Sequence, residues 1–301
     1  MRKIFAPLTG GFVLLFLITN TIFWATPIYL LTPVKYLTRG RLRDAVSRAM
    51  AHMGQTWAGI NVIFSDAVHG THWDIRGTDV LKPDGQYLVC CNHQTWNDIF
   101  VLMKAFGRRA PFFKFFLKQQ LIWVPVLGLA WWGLDYPFMK RYTKEQIEKN
   151  PELKGKDLAT TRIACERYVN QPVTILNFLE GTRFTAAKHA RQQSPYKHLL
   201  KPKSGGFAFV VSAMGAKLNS LLDVTIVYPE GAMGFWDFLC GHVRSVVVEV
   251  RRLEIPPEFF RGSYENDPVF RQQFQDWIAK LWQDKDRLIG EMKARAAMQP
   301  A

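Results

Sequence analysis

Residues Pro172 to Leu179, PVTILNFL, run straight into Glu180 to Thr185, EGTRFT. The first part is uncharged, rich in Val, Ile, Leu and Phe, and opened by proline, which reads as a buried strand. A charged turn with a glycine directly behind such a strand is where an α/β sheet binds ligands. Gly181 lets the backbone come close to a ligand. Arg183 offers a planar fork suited to phosphate. Glu180 either steadies Arg183 or accepts from a substrate hydroxyl. The same residues also suit a capped turn with an exposed ion pair.

Working outward, Gln86 to Cys91 reads as a second buried strand and Asn97 to Phe106 as a helix. Leu134 to Met139 reads as a strand and Asp157 to Asn170 as a helix with Leu158, Cys165, Tyr168, Val169 and either Ile163 or Thr161 on one face. A helix over Ser204 to Leu218, a strand over Leu222 to Tyr228 and a strand over Ser245 to Leu253 follow. From Asp267 to Ala297, Phe270, Phe274, Trp277, Ile278, Leu281 and Trp282 recur at helical spacing, an amphipathic helix docked on the domain or lying on a membrane. Strands alternating with helices predict an α/β fold, a mixed sheet flanked by helices. Residues 35 to 85 carry the weakest pattern.

The whole chain has 301 residues, 48% of them hydrophobic, and a net charge of +14. A mean hydropathy of −0.07 excludes a many-span membrane protein, and the apolar content excludes a disordered chain. Four cysteines without CxxC spacing exclude a disulfide scaffold and indicate neither zinc nor redox chemistry. The positive charge asks for nucleic acid, an anionic membrane or a phosphorylated substrate. Residues 101 to 144 hold eight cations and one acid, and residues 181 to 222 hold seven cations and no acid. That clustering favours a membrane surface and a phosphorylated lipid over nucleic acid.

Between Ile4 and Val34 there is no charged residue, a run long enough to cross a bilayer core. Residues 1–43 therefore read as a membrane anchor and 44–301 as the folded domain. A secretory signal peptide is the competing reading, though Thr26-Pro27 after Ala25 makes a poor cleavage site. Lys35, Arg39, Arg41 and Arg43 outnumber Arg2 and Lys3, which puts the domain on the cytoplasmic side. Cations on both flanks also permit a helical hairpin broken at Gly10-Gly11, Asn20 or Pro27. A second apolar run, Leu121 to Leu134, is short for a span and suits a core segment or a membrane-facing or acyl-lining surface.

Asn92 to Asp98, NHQTWND, places His93 just past a strand end and Asp98 at the start of a helix. A carboxylate folded back on the imidazole fixes its tautomer and leaves the other nitrogen to take a proton from a hydroxyl. Asp98 also suits a plain acid in a first helical turn. Cys90 and Cys91, adjacent on a strand, point to opposite faces and read as packing. His69 and His72 lack further ligands and read as loop histidines.

Together these pieces resemble the glycerophosphate and lysophospholipid acyltransferases. His93 and Asp98 match that family's HX4D motif. Lys118, Pro125, Gly128 and Arg141 look like its second block, EGTRFT matches its third, and Val224 to Pro229 is similar to its fourth. Leu179 stands where the third block often has proline. EGTRFT followed by Lys188-His189 and HLLKPKSGGF looks more like the acylglycerol-phosphate and lysocardiolipin branch. The resemblance implies His93 as general base on the sn-2 hydroxyl of a lysophospholipid, 1-acylglycerol 3-phosphate first among them, and Asp98 as its orienter. It implies Arg183, Gly181 and Thr182 around the acceptor phosphate, Lys118 and Arg141 as further anion contacts, and Glu180 on the acceptor's glycerol part. The donor it implies is acyl-CoA or acyl-carrier protein, with no cofactor and no metal. A thioesterase or lipase is the alternative enzyme, although G-x-S-x-G is missing. A non-enzymatic basic protein is the third reading.

Overall fold

The computed structural model describes residues 2–140, 148–150, 152, 156–168, 171–218 and 220–298. The chain opens with two long helices, α1 (Arg2–Leu37) and α2 (Gly40–His69), then strand β1 (His72–Arg76) and strand β2 (Gln86–Cys91). Helix α3 (Asn97–Phe106) follows, then β3 (Phe113–Phe115), β4 (Leu117–Lys118), α4 (Leu127–Gly133), β5 (Phe138–Met139) and α5 (Lys156–Tyr168). The second half runs β6 (Val173–Phe178), α6 (Ala186–Gln192), α7 (Gly205–Met214), β7 (Ser220–Val227), α8 (Phe235–Leu239), β8 (Ser245–Leu253) and α9 (Pro268–Met298).

Six strands form one mixed sheet in the order β1-β8-β7-β2-β6-β3. β7, β2, β6 and β3 are parallel, while β8 pairs antiparallel with β7. The register aligns Cys91 with Phe178 on one side and with Val224 on the other. The carboxyl ends of β6 and β7 therefore flank the carboxyl end of β2, where His93 follows. Alternation along β2 sends Leu88 and Cys90 into the core under α5, α7 and α9, and Tyr87, Val89 and Cys91 into the core under α2, α3 and α8. Burial pushes both the Cys90 and the Cys91 thiols up, in keeping with a packing role.

α9 is fastened to the sheet by charge as well as by Phe274, Ile278 and Trp282. The fully buried Lys285 Nζ lies 2.5 Å from Asp223 Oδ1 on β7, and Arg251 from β8 takes the other oxygen. Burial alone raises a carboxyl's pKa, but these two cations hold Asp223 below its ordinary value.

α1 runs unbroken through Gly10-Gly11, Asn20 and Pro27, so the chain does not turn back at any of these three positions. The return is made by α2: Asn20 Nδ2 donates to Asn61 Oδ1 at 2.7 Å, and Phe16 stacks on Phe64. The turn falls at Thr38-Arg39, which places Arg41 and Arg43 on α2. α1 packs on the domain at both ends. Gly10 lies against Cys240 and Trp236 beside α8, and Gly133 of α4 lies against Thr32 and Ile28. Lys35 is buried, donating to Gly133 O at 2.7 Å and pairing with Asp135. The buried side of α2 is built from Gly54, Ala58, Asn61 and Ser65 among the apolar residues, which blurs the apolar stripe in the sequence.

The strand expected over Leu134 to Met139 shrinks to β5. The N–H of Leu134 caps α4 on Ala130 O, and Asp135 takes a left-handed φ of 59°, so the chain turns before it extends. The helix expected to Leu218 ends at Met214, where Gly215 has a φ of 56° and a short 3-10 turn follows. On α5 Thr161, Cys165 and Tyr168 face inward and Ile163 is exposed, while Val169 lies outside the described residues. The run Leu121 to Leu134 divides: Gly128, Ala130 and Leu134 pack inside, and Trp123 and Trp132 face outward.

Candidate active site

Asn92 ends β2 by clasping the neighbouring strand. Its side chain donates to Ile226 O and accepts from Ile226 N, both at 2.9 Å. This fixes the turn that carries His93. His93 Nδ1 lies 2.7 Å from Asp98 Oδ2, and the same carboxylate oxygen accepts the N–H groups of Gln94 and Thr95. Asp98 Oδ1 accepts from Tyr228 Oη at 2.8 Å. A fully buried carboxylate with four donors is an acceptor only, so Nδ1 of His93 carries the proton and Nε2 is left as a base. Phe178 stacks on the ring at 4.0 Å, and the His93 side chain keeps 16% exposure.

The turn after β6 grips the same histidine by its backbone. Glu180 Oε1 accepts His93 N–H at 2.9 Å, Glu180 Oε2 accepts Leu200 N–H at 3.0 Å, and Phe184 N–H donates to His93 O at 2.7 Å. Burial pushes the Glu180 carboxyl up to about 7, against the pull of its two N–H donors. Glu180 is thus turned into the protein with both oxygens engaged by backbone N–H groups. Gly181 has a φ of 66°, a conformation that favours glycine, and lies against the Lys203 side chain. The Arg183 guanidinium stands over the exposed Trp96 ring at 4.8 Å. Lys188 Nζ donates to Thr182 Oγ1 at 2.8 Å and to Arg183 O at 2.9 Å.

His93, Asp98, Glu180, Gly181, Thr182 and Arg183 therefore converge. Lys118 is exposed on β4, in the separate two-stranded ribbon with β5, and no described hydrogen bond or ion pair links it to the Glu180–Arg183 turn. Arg141 lies outside the described residues. Of the basic stretch 101 to 144, Lys104 pairs with Asp66 and Lys114 donates to Leu134 O, so part of that charge is spent within the protein. Tyr228, Phe178 and Trp96 are site residues that sequence reasoning assigned no role. Only the strand register carries Tyr228 to Asp98, which is 130 positions away in the chain.

An apolar cavity opens between α1, α2, α3 and α4, with Trp24, Trp57, Ile99, Met103, Phe115 and Trp131 among its lining. Ile99 and Met103 belong to the helix whose first turn bears Asp98. Among the described residues no group of three or more His, Cys, Asp and Glu side chains is arranged to hold a metal ion. His69 instead bonds Leu239 O at 2.9 Å.

Known proteins are similar to this chain. The 2-acyl-1-lysophosphatidylinositol acyltransferase of Saccharomyces cerevisiae is 24% identical over 238 residues, 67% of this chain and 60% of that protein. Lysocardiolipin acyltransferase 1 of Gallus gallus is 24% identical over 271 residues, 85% of this chain and 66% of its own length. The chain thus spans less than two thirds of either relative. The crystal structure of the 1-acyl-sn-glycerophosphate acyltransferase PlsC from Thermotoga maritima superposes with a TM-score of 0.57 over 98% of both chains at 16% identity, a likeness of fold. The family model described as Acyltransferase matches residues 72–229. That segment opens with β1 and closes just past β7, taking in the whole cluster around His93, and the chain belongs to the acyltransferase family.

Proposed function

We propose that this enzyme moves a fatty acyl group from acyl-CoA or acyl-carrier protein to the free sn-2 hydroxyl of a lysophospholipid, 1-acylglycerol 3-phosphate first among them, giving phosphatidic acid. The observation that carries this reading is the His93–Asp98 pair, with Nε2 free for a hydroxyl proton, beside the cationic turn at Arg183. In the reaction, His93 Nε2 takes the hydroxyl proton while the oxygen attacks the thioester carbonyl carbon. Asp98 steadies the imidazolium. Collapse of the tetrahedral intermediate breaks the C–S bond, and the leaving thiolate takes the proton back from Nε2. An ester and a thiol result, with no acyl-enzyme and no cofactor or metal in the scheme. Arg183, with Gly181 and Thr182, receives the acceptor phosphate. The apolar cavity beside α3 suits an acyl chain. The names of the yeast and chicken relatives support a second acceptor class, lysophosphatidylinositol or lysocardiolipin.

The enzyme works at a membrane in this reading, with its catalytic domain on the cytoplasmic face. Phe5–Leu37 is the one described helix long and apolar enough to cross a bilayer. Leu8, Phe12, Leu15, Ile22 and Leu30 form an exposed apolar stripe on α1, and each threonine of α1 donates to the carbonyl four residues back. Those hydroxyls need no water. Because both ends of α1 pack on the same folded domain, an anchor lying in the near leaflet fits better than an upright span. Arg39, Arg41 and Arg43 at the α1–α2 turn suit anionic headgroups.

Thiol release from acyl-CoA, followed with and without lysophosphatidic acid, tests the reading. Acceptor-dependent release that His93→Ala abolishes is the expected result. Release indifferent to the acceptor makes the protein a thioesterase instead.

A further inference from the structure

We infer that Lys188 and Lys203 join Arg183 in a three-cation cradle around Gly181 that selects acceptors bearing a terminal phosphomonoester over phosphodiester lysolipids. The inference rests on the acyl transfer proposed above and adds the feature that reads the headgroup.

The cradle is built on the turn that holds His93. Lys188 lies three residues into the α6 region, where Thr185 Oγ1 accepts its N–H at 3.2 Å. Its ammonium reaches back to Thr182 Oγ1 and Arg183 O, leaving one N–H for a ligand. Lys203 is held by its own backbone, which donates to Leu179 O at 2.7 Å, and its side chain lies along Gly181, where an added Cβ would stand 3.1 Å from Cδ and 3.4 Å from Nζ. Among the described residues neither the Arg183 guanidinium nor the Lys203 ammonium has a carboxylate partner. The one carboxylate in the turn, Glu180, faces the other way and is taken by His93 and Leu200. Three cations left uncompensated at a strand end repel one another, and a ligand of matching charge relieves that repulsion. A phosphomonoester carries between one and two negative charges near neutral pH, with three strong acceptor oxygens. A phosphodiester carries one charge and two free oxygens, and so leaves part of the cradle unmet.

The test uses the full chain in mixed micelles with one acyl-CoA donor. The acceptors are 1-acylglycerol 3-phosphate, a phosphomonoester, and lysophosphatidylinositol, a phosphodiester. The wild type is expected to favour the phosphomonoester in kcat/KM by at least about tenfold, and Lys203→Met and Lys188→Met to cut that ratio by about fivefold or more, through acceptor KM. Lys203→Arg keeps the ratio. Equal use of both acceptors by the wild type, or an unchanged ratio in Lys203→Met, overturns the proposal. A rise in acyl-CoA KM with the acceptor ratio unchanged does so too, because it assigns the cations to the donor's phosphates. Failure of the underlying acyl transfer looks different: no acceptor then stimulates thiol release.

Discussion

Tyr228 Oη donates to Asp98 Oδ1 at 2.8 Å, joining the end of β7 to the carboxylate that orients His93. Both side chains are buried, and burial pushes the Tyr228 phenol far up, so the donor keeps its proton. Tyr228→Phe removes this one bond and leaves the ring's packing in place. A hydrogen bond to a charged group is worth about 1.5–3 kcal/mol. The expected effect is a fall of about tenfold or more in kcat with both KM values near wild type. Unchanged kcat shows that the three remaining donors hold Asp98 by themselves.

Glu180 gives a pH signature. Its carboxyl is pushed up to about 7 by burial, above its unfolded value. The folded state therefore keeps a proton that the unfolded chain releases, and this contribution is full below the unfolded pKa and lost as pH rises through about 7. Thermal unfolding of the wild type and Glu180→Gln at pH 5 and pH 8 reads it. The variant is less stable at pH 5, because an amide accepts only one of the two N–H groups, by about 1–3 kcal/mol. The gap narrows at pH 8. A gap that widens shows that the N–H donors of His93 and Leu200 outweigh burial.

Lys285 and Asp223 form a buried pair whose value depends on both members. Lys285→Met leaves Asp223 with Arg251 as its one cation, beside the Cys90 thiol, and should cost about 3–5 kcal/mol in denaturant unfolding. Adding Asp223→Leu should recover much of that loss, since Arg251 is partly exposed and can turn to water. A double variant no more stable than Lys285→Met shows that the charges specify how α9 docks.

The exposed stripe on α1 predicts membrane binding. Leu8 is 70% exposed and Leu15 63%, seven residues apart on one face. Leu8→Asp with Leu15→Asp should lower partition onto anionic vesicles by at least about tenfold, given about 1.5–3 kcal/mol for each large apolar side chain withdrawn from lipid. Unfolding temperature should stay near wild type. Undiminished vesicle binding assigns attachment to another surface.

The core strands, helix 97 to 106 and the His93–Asp98 pair were legible because each is local: runs of Val, Ile and Leu, and a motif seven residues long. α6 could have been found from Thr185, whose hydroxyl caps it. β3 and β4 were missed because three and two residues are too few to show a period. The shortened strand after Leu134 depends on Asp135 taking a left-handed conformation, which follows from the packing of α4.

The sequence by itself determined the α/β class, the apolar first helix, the His93–Asp98 pairing and the cationic turn after β6, since side-chain chemistry and spacing carry these. Tertiary structure alone decided that Glu180 points inward, that Tyr228 completes the Asp98 shell, and that α1 lies along the domain with α2 as its partner. Each depends on groups 80 or more residues apart, or on both ends of one helix meeting one surface. The register that sets β2 between β6 and β7 brings such groups together, and no local pattern encodes that register.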